Sequence, residues 1–150
     1  MKKLLLILVS SLSLMGFTGA EARDYFGIRF GFPELGVQLG STSVFGRNVG
    51  GRLTADFGYY YNGVLIGGDI LYYVVIPTPG VSFDLDFYVG GGLGVGFGTN
   101  GGGFGYNAHF VLGVDFLFTR DLGLFLEARP FGFGSYGYYY GGSVGLNFRI

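Results

Sequence analysis

The chain has 150 residues, a formal net charge of −1, no Cys and no Trp, but 32 Gly, 17 Phe and 12 Tyr. Without Cys there is no disulfide and no thiolate metal site, and the near-zero charge with no basic aromatic patch excludes an ordinary nucleic-acid binder. Charged residues make up only 13%, about half the usual share, yet beyond the N-terminus no run approaches the ~20 continuous apolar residues of a membrane-spanning helix.

Met1 to Ala22 reads as a secretory signal peptide. Lys2 and Lys3 form its charged end, Leu4 to Val9 opens its apolar region, and Ala20-Glu21-Ala22 has the A-x-A form of a cleavage site. Ser10, Ser11 and Ser13 dilute the run and argue against an uncleaved anchor. The expected division is a signal peptide over 1–22 and one domain over 23–150, whose cations are all Arg.

Period-2 alternation predicts eight strands after Arg23. The first is Asp24 to Phe32, with Phe26, Ile28, Phe30 and Phe32 on its apolar face, and Pro33-Glu34 is a turn. The second runs from Leu35 to about Thr42, with Leu35, Val37 and Leu39 apolar. The third is Val49 to Tyr61 and the fourth Val64 to Ile76, joined by Asn62-Gly63, which has the form of a two-residue type I′ hairpin loop. Pro77 to Gly80 ends the fourth. The fifth, Phe83 to Phe97, sets Phe83, Leu85, Phe87, Val89, Leu93, Val95 and Phe97 against Asp84, Asp86, Tyr88 and four glycines. Thr99 to Gly102 is a loop, and the sixth strand is Gly103 to Phe118. Thr119 to Asp121 turns the chain into the seventh, Leu122 to Phe131; a connection over about Gly132 to Ser135 leads to the eighth, Tyr136 to Ile150.

Each strand has one bulky apolar face, and no helix is left to cover these faces. Lipid is therefore the expected covering solvent. Bulky aromatics fall at the strand ends: Tyr59, Tyr61, Phe97, Phe104, Tyr106, Tyr138 and Tyr140 at one, Phe26, Phe83, Phe87, Phe116, Phe118 and Phe148 at the other. Leu, Val, Ile, Ala and Gly lie between, as in the aromatic girdles of a bilayer barrel. Short connections make neighbours antiparallel and up-and-down. An open edge is not tolerated in lipid, so the first and last strands must pair. The expected fold is all-β, a closed eight-stranded antiparallel up-and-down transmembrane β-barrel. A soluble ligand-binding barrel would have to pack every bulky apolar residue inside, where eight strands enclose too little space.

The polar faces carry Arg29, Arg52, Arg129 and Arg149 against Asp56, Asp69, Asp84, Asp86, Asp115 and Glu127, with His109 among them. In a narrow lumen these form a charge network. The Asn62-Gly63 turn sets Asp56 opposite Asp69, a like-charge pair relieved by an arginine, a shared proton or a bound cation. The arginine reading is a rigid filled lumen; the others are a proton or cation path. His109 is the sole histidine, and inward Ser143 lies two strands away. No motif makes them a nucleophile and base, so no catalytic residue, resident metal or cofactor is expected. Gly90, Gly92, Gly94 and Gly96, with Gly105 and Gly113, point inward. They either make room for Tyr60, Tyr73, Tyr88, Phe125, Phe131 and Tyr139 or line a water-filled path.

The leader, the eight alternating strands and the terminal strand Val144-Gly-Leu-Asn-Phe-Arg-Ile150 resemble the small bacterial outer-membrane barrels of the OmpA and OmpX type. The resemblance covers the whole chain after the leader and implies outer-membrane lipids and the barrel-assembly machinery as partners. In that family the last residue is usually Phe; here it is Ile150, with Phe148 two places earlier. Members also carry long outer loops, whereas those expected here are short, which disfavours a receptor role. The expected function is that of an integral outer-membrane protein, mainly structural, with at most minor passage of small solutes. A narrow porin-like channel and a lipid-modifying enzyme are the alternatives.

Overall fold

The structure is a computed structural model describing residues 23–31, 34–58, 63–76, 78–98, 103–135 and 137–150. The expected signal peptide lies outside the described residues, as do Pro33, Tyr59 to Asn62 and Thr99 to Gly102.

Eight strands follow in order: β1 (Asp24–Gly31), β2 (Glu34–Ser41), β3 (Val49–Gly58), β4 (Gly63–Ile76), β5 (Asp84–Gly98), β6 (Phe104–Leu117), β7 (Leu122–Gly134) and β8 (Gly137–Arg149). Each pairs antiparallel with the next, and β1 pairs with β8, so the sheet closes into a barrel without an edge. Arg23 and Ile150 lie at one rim, with the connections after β2, β4 and β6. This is the near rim; the connections after β1, β3, β5 and β7 mark the far rim.

The alternation written in the sequence decides what faces where. In β4, Leu65, Asp69, Leu71 and Tyr73 are buried, and Ile66, Ile70, Tyr72 and Val74 are exposed. In β5, Asp86 and Tyr88 point in, whereas Phe87, Val89, Leu93, Val95 and Phe97 point out. A pleated strand cannot place neighbours on one side, so every inward polar residue is matched by an outward apolar one.

Two expectations are corrected. The first is the register of β3 on β4. Gly58 pairs with Gly63, so the strands are joined through residues 59–62, not by a two-residue Asn62-Gly63 loop. Asp69 stands opposite Arg52, four places along β3 from Asp56, and Asp56 stands opposite Leu65. A slip by an even number of residues leaves both faces unchanged, and this one replaces a like-charge pair by an opposite-charge pair.

The second is the far end of β7. Gly132 to Gly134 belong to the strand and pair with both neighbours. Between Arg129 and Gly132 the ladder to β8 shifts by one residue, the mark of a β-bulge. Pro130 supplies the cause: it has no N–H to donate, and a closed barrel has no edge strand to hold it, so the ladder breaks there. The extra residue reverses the alternation. Phe131, expected inside, is 62% exposed, and its ring stacks on that of outward Phe110, with centroids 5.3 Å apart.

Most inward glycines lie beneath a large inward side chain of a neighbouring strand. A Cβ at Gly113 would enter the Tyr88 ring, at Gly145 the Phe125 ring, at Gly132 the Tyr139 ring and at Gly92 the Asp69 carboxylate. The lumen is packed at these positions, and Tyr60 lies outside the described residues.

Candidate functional site

The inward polar residues meet at mid-barrel, where opposite walls are close enough for side chains to cross. Glu127 on β7 is the hub. Its Oε2 accepts from Arg52 Nη1 of β3, on the opposite wall, at 2.5 Å, and from the Tyr88 hydroxyl of β5 at 3.2 Å. Its Oε1 accepts from Arg29 Nη2 of β1 at 3.0 Å and from Arg129 Nε at 3.3 Å. Arg52 also donates from Nε and Nη2 to Asp69 Oδ2, at 2.8 and 2.5 Å. His109 Nε2 donates to the other Asp69 oxygen at 2.8 Å, and its Nδ1 lies 3.3 Å from Asn107 Oδ1. Asp56 sits between Arg29 Nε at 3.3 Å and Arg129 Nη2 at 4.0 Å. All seven of these charged or imidazole side chains are buried. Three arginines thus meet three carboxylates, and the belt is balanced when His109 is neutral. Arg52 also lies over the Tyr88 ring, 5.9 Å from its centroid.

A second cluster occupies the near rim. Asp86 Oδ2 lies 3.1 Å from Arg23 Nη1 and 3.7 Å from Arg149 Nη2. Asp115 pairs directly with Asp86 across β5 and β6, and its Oδ2 accepts from Asn147 Nδ2 at 3.3 Å. The facing carboxylates sought at Asp56 and Asp69 are therefore at Asp86 and Asp115. One oxygen of each is buried without a hydrogen bond. Asp84 is exposed at the mouth and belongs to neither belt nor pair.

An amide thread joins the clusters along one wall. Arg52 Nη1 donates to Gln38 Oε1 at 3.3 Å, and Gln38 Nε2 donates to Asn147 Oδ1 at 2.7 Å. The opposite wall carries a cluster of Leu71, Tyr73, Tyr88 and Val111. The Tyr73 hydroxyl meets that of Tyr25, across the lumen on β1, at 3.1 Å.

The polar alternation located the charged residues singly and set Tyr73 and Tyr88 inside, but it missed Arg23, Gln38, Leu71 and Val111. Gln38 was legible from its parity with Gly36 and Gly40. Leu71 and Val111 share the parity of inward Asp69 and His109, but apolar residues on both faces of β4 and β6 masked them as members of a cluster.

His109 and Ser143 are engaged by different partners. Ser143 Oγ accepts from Arg29 Nη2 at 3.2 Å, while His109 holds Asp69 and Asn107. A nucleophile and its base need mutual contact, and these two are bonded elsewhere. Among the described residues, no group of three or more His, Asp or Glu side chains is arranged to hold a metal ion. The arrangement does what a balanced ion network does: it fills the lumen and ties β1, β3, β4, β5, β6 and β7 to one another. Such a network is better credited with specifying how the walls meet than with net stability.

No family model and no curated protein matches the chain. Among solved structures it is similar to the N-terminal β-barrel domain of Pseudomonas aeruginosa OprF, with a TM-score of 0.54 and 18% sequence identity, over 89% of this chain and 100% of that one. At that identity the two share a fold: a closed eight-stranded antiparallel β-barrel.

Proposed function

We propose that the chain is an integral protein of a bacterial outer membrane, made with a leader over 1–22, and that it is mainly structural with at most minor passage of small solutes. The observation that carries the reading is the inverted polarity of the barrel. Arginines, aspartates and Glu127 are buried inside, and Phe30, Ile66, Ile70, Leu93, Leu112, Leu126 and Val144 are exposed outside. Water would penalise that outer surface, whereas hydrocarbon favours it at about 25 cal/mol per Å² of apolar area. Exposed aromatics flank the aliphatic band. Phe97, Phe104, Tyr106, Phe133, Tyr138 and Tyr140 lie toward the far rim, and Tyr72, Phe118 and Phe148 toward the near rim. Rings at those depths suit the two headgroup regions. The packed glycines and the crossed lumen support a filled barrel over an open channel.

The test is expression followed by fractionation and refolding. The reading expects the protein in the outer-membrane fraction, extraction only by detergent, and a folded band that shifts on heating in gel electrophoresis. A protein that stays folded and monodisperse in plain buffer would instead be a soluble barrel. Steady single-channel currents from the wild type in planar bilayers would replace the structural role by that of a narrow channel.

A further inference from the structure

We infer that passage through this barrel is blocked by an apolar layer beneath the charged belt, built from Leu71, Tyr73, Tyr88 and Val111 with Tyr25 and Phe125, and not by the ion pairs themselves. The inference rests on the membrane reading and says which part of the lumen a solute meets as its barrier. The registers of β4, β5 and β6 place it. Asp69, Gly92 and His109 form one inward row of the belt. The next row toward the near rim is Leu71, Gly90 and Val111, and the one after it is Tyr73, Tyr88 and Gly113. The facing Asp86 and Asp115 follow. Successive rows are two residues apart, about 7 Å. On the β4–β6 wall two rows without a charged side chain therefore separate the belt from the near-rim cluster, the second of them running on across β7 to Glu127.

The layer is built by sequence on both sides of each contact. Leu71 and Val111 are 0% exposed. Five of the six members lie over a glycine of an adjoining strand: Leu71 over Gly90, Tyr73 over Gly50, Tyr88 over Gly113, Phe125 over Gly145 and Tyr25 over Gly40. A Cβ at any of these glycines would collide with the side chain that covers it. The Tyr25 and Tyr73 hydroxyls meet across the lumen, and the Tyr73 and Tyr88 rings tilt together at 5.6 Å between centroids. On the remaining wall Gln38 and Asn147 are bonded to each other, over Gly27. A hydrated ion arriving at Asp69 meets mainly alkyl and ring atoms, and the polar groups at that depth, the Tyr25, Tyr73 and Tyr88 hydroxyls and the Gln38 and Asn147 amides, are already bonded to protein partners and offer little to replace its water. Stripping a charge of water without such replacement is prohibitive, and apolar constrictions close pores by excluding water. A belt of ion pairs, by contrast, offers donors and acceptors and can be wetted.

The experiment compares refolded wild type with the triple substitution Leu71→Ala, Tyr88→Ala, Val111→Ala in planar bilayers, and with the outward control Ile70→Ala. The triple variant is expected to raise integrated current severalfold over wild type, and the control to leave it unchanged. A folded triple variant that conducts no more than wild type would overturn the layer. Wild type that does not enter bilayers overturns the membrane reading, and this inference with it. Should the triple variant not fold, wild type in detergent micelles decides. Water cross-relaxation to the Leu71 and Val111 methyls is expected to be absent, while the His109 ring shows it. Equal water contact at both would refute a dry layer.

Discussion

Replacing Glu127 by Gln tests the belt at its hub. The carboxylate accepts from Arg52, Arg29, Arg129 and Tyr88, and its side chain is 0% exposed. The change is nearly isosteric, so any cost is electrostatic. After it, Arg29, Arg52 and Arg129 face only Asp56 and Asp69, and one guanidinium charge is left uncompensated. The new amide must also turn its NH₂ toward a guanidinium, donor against donor. Removing one partner of a buried ion pair costs about 3–5 kcal/mol, and this hub serves three cations, so the full range is expected. The second arm is Glu127→Gln with Arg129→Gln, which restores two arginines to two carboxylates. The double variant should recover part of the loss, with a coupling of about 0.5–3 kcal/mol. Urea titration of folding into phospholipid vesicles, read by the heat-modifiable band, measures both. A single-variant loss under about 1 kcal/mol, or strictly additive losses, would refute the belt as a charge-balanced unit.

Leu93 is 70% exposed at mid-strand, so Leu93→Arg should lower folding free energy in bilayers by ~2–4 kcal/mol, and Leu93→Val should change it little; equal effects would reverse the assigned face. Gly92→Ala drives a Cβ into the Asp69 carboxylate and against the Gly68 carbonyl. Overpacking of that kind costs about 1–3 kcal/mol, and full tolerance in the same titration would mean unfilled space beside Asp69. Ala22→Asp should block removal of the leader, because the cleavage site needs a small residue; an N-terminus other than Arg23 in mass spectrometry of the processed protein would move that boundary.

The number of strands, their order and the side most residues face were legible in the chain itself. Phe83 to Phe97 alternates without interruption, and β5 runs from Asp84 to Gly98 with that alternation intact. Closure follows from the same pattern, since eight such strands with no helix leave no other way to satisfy an edge. Alternation is local, however, and says nothing about which residue stands across from which. A slip of four on the β3–β4 ladder moved Asp69 from Asp56 to Arg52 without altering a single face. Pro130 is plain in the sequence, but whether it would end β7 or bulge it depended on Gly132 to Gly134 finding partners on both sides. The meeting of Arg52 with Glu127, and of Tyr25 with Tyr73, is set by the stagger of all eight strands around the closed wall. Those pairs are far apart in the chain and lie on non-adjacent strands, so no spacing encodes them. Leu71 and Val111 share a face with Asp69 and His109, but their meeting with Tyr73 and Tyr88 was decided by the ladders between β4, β5 and β6.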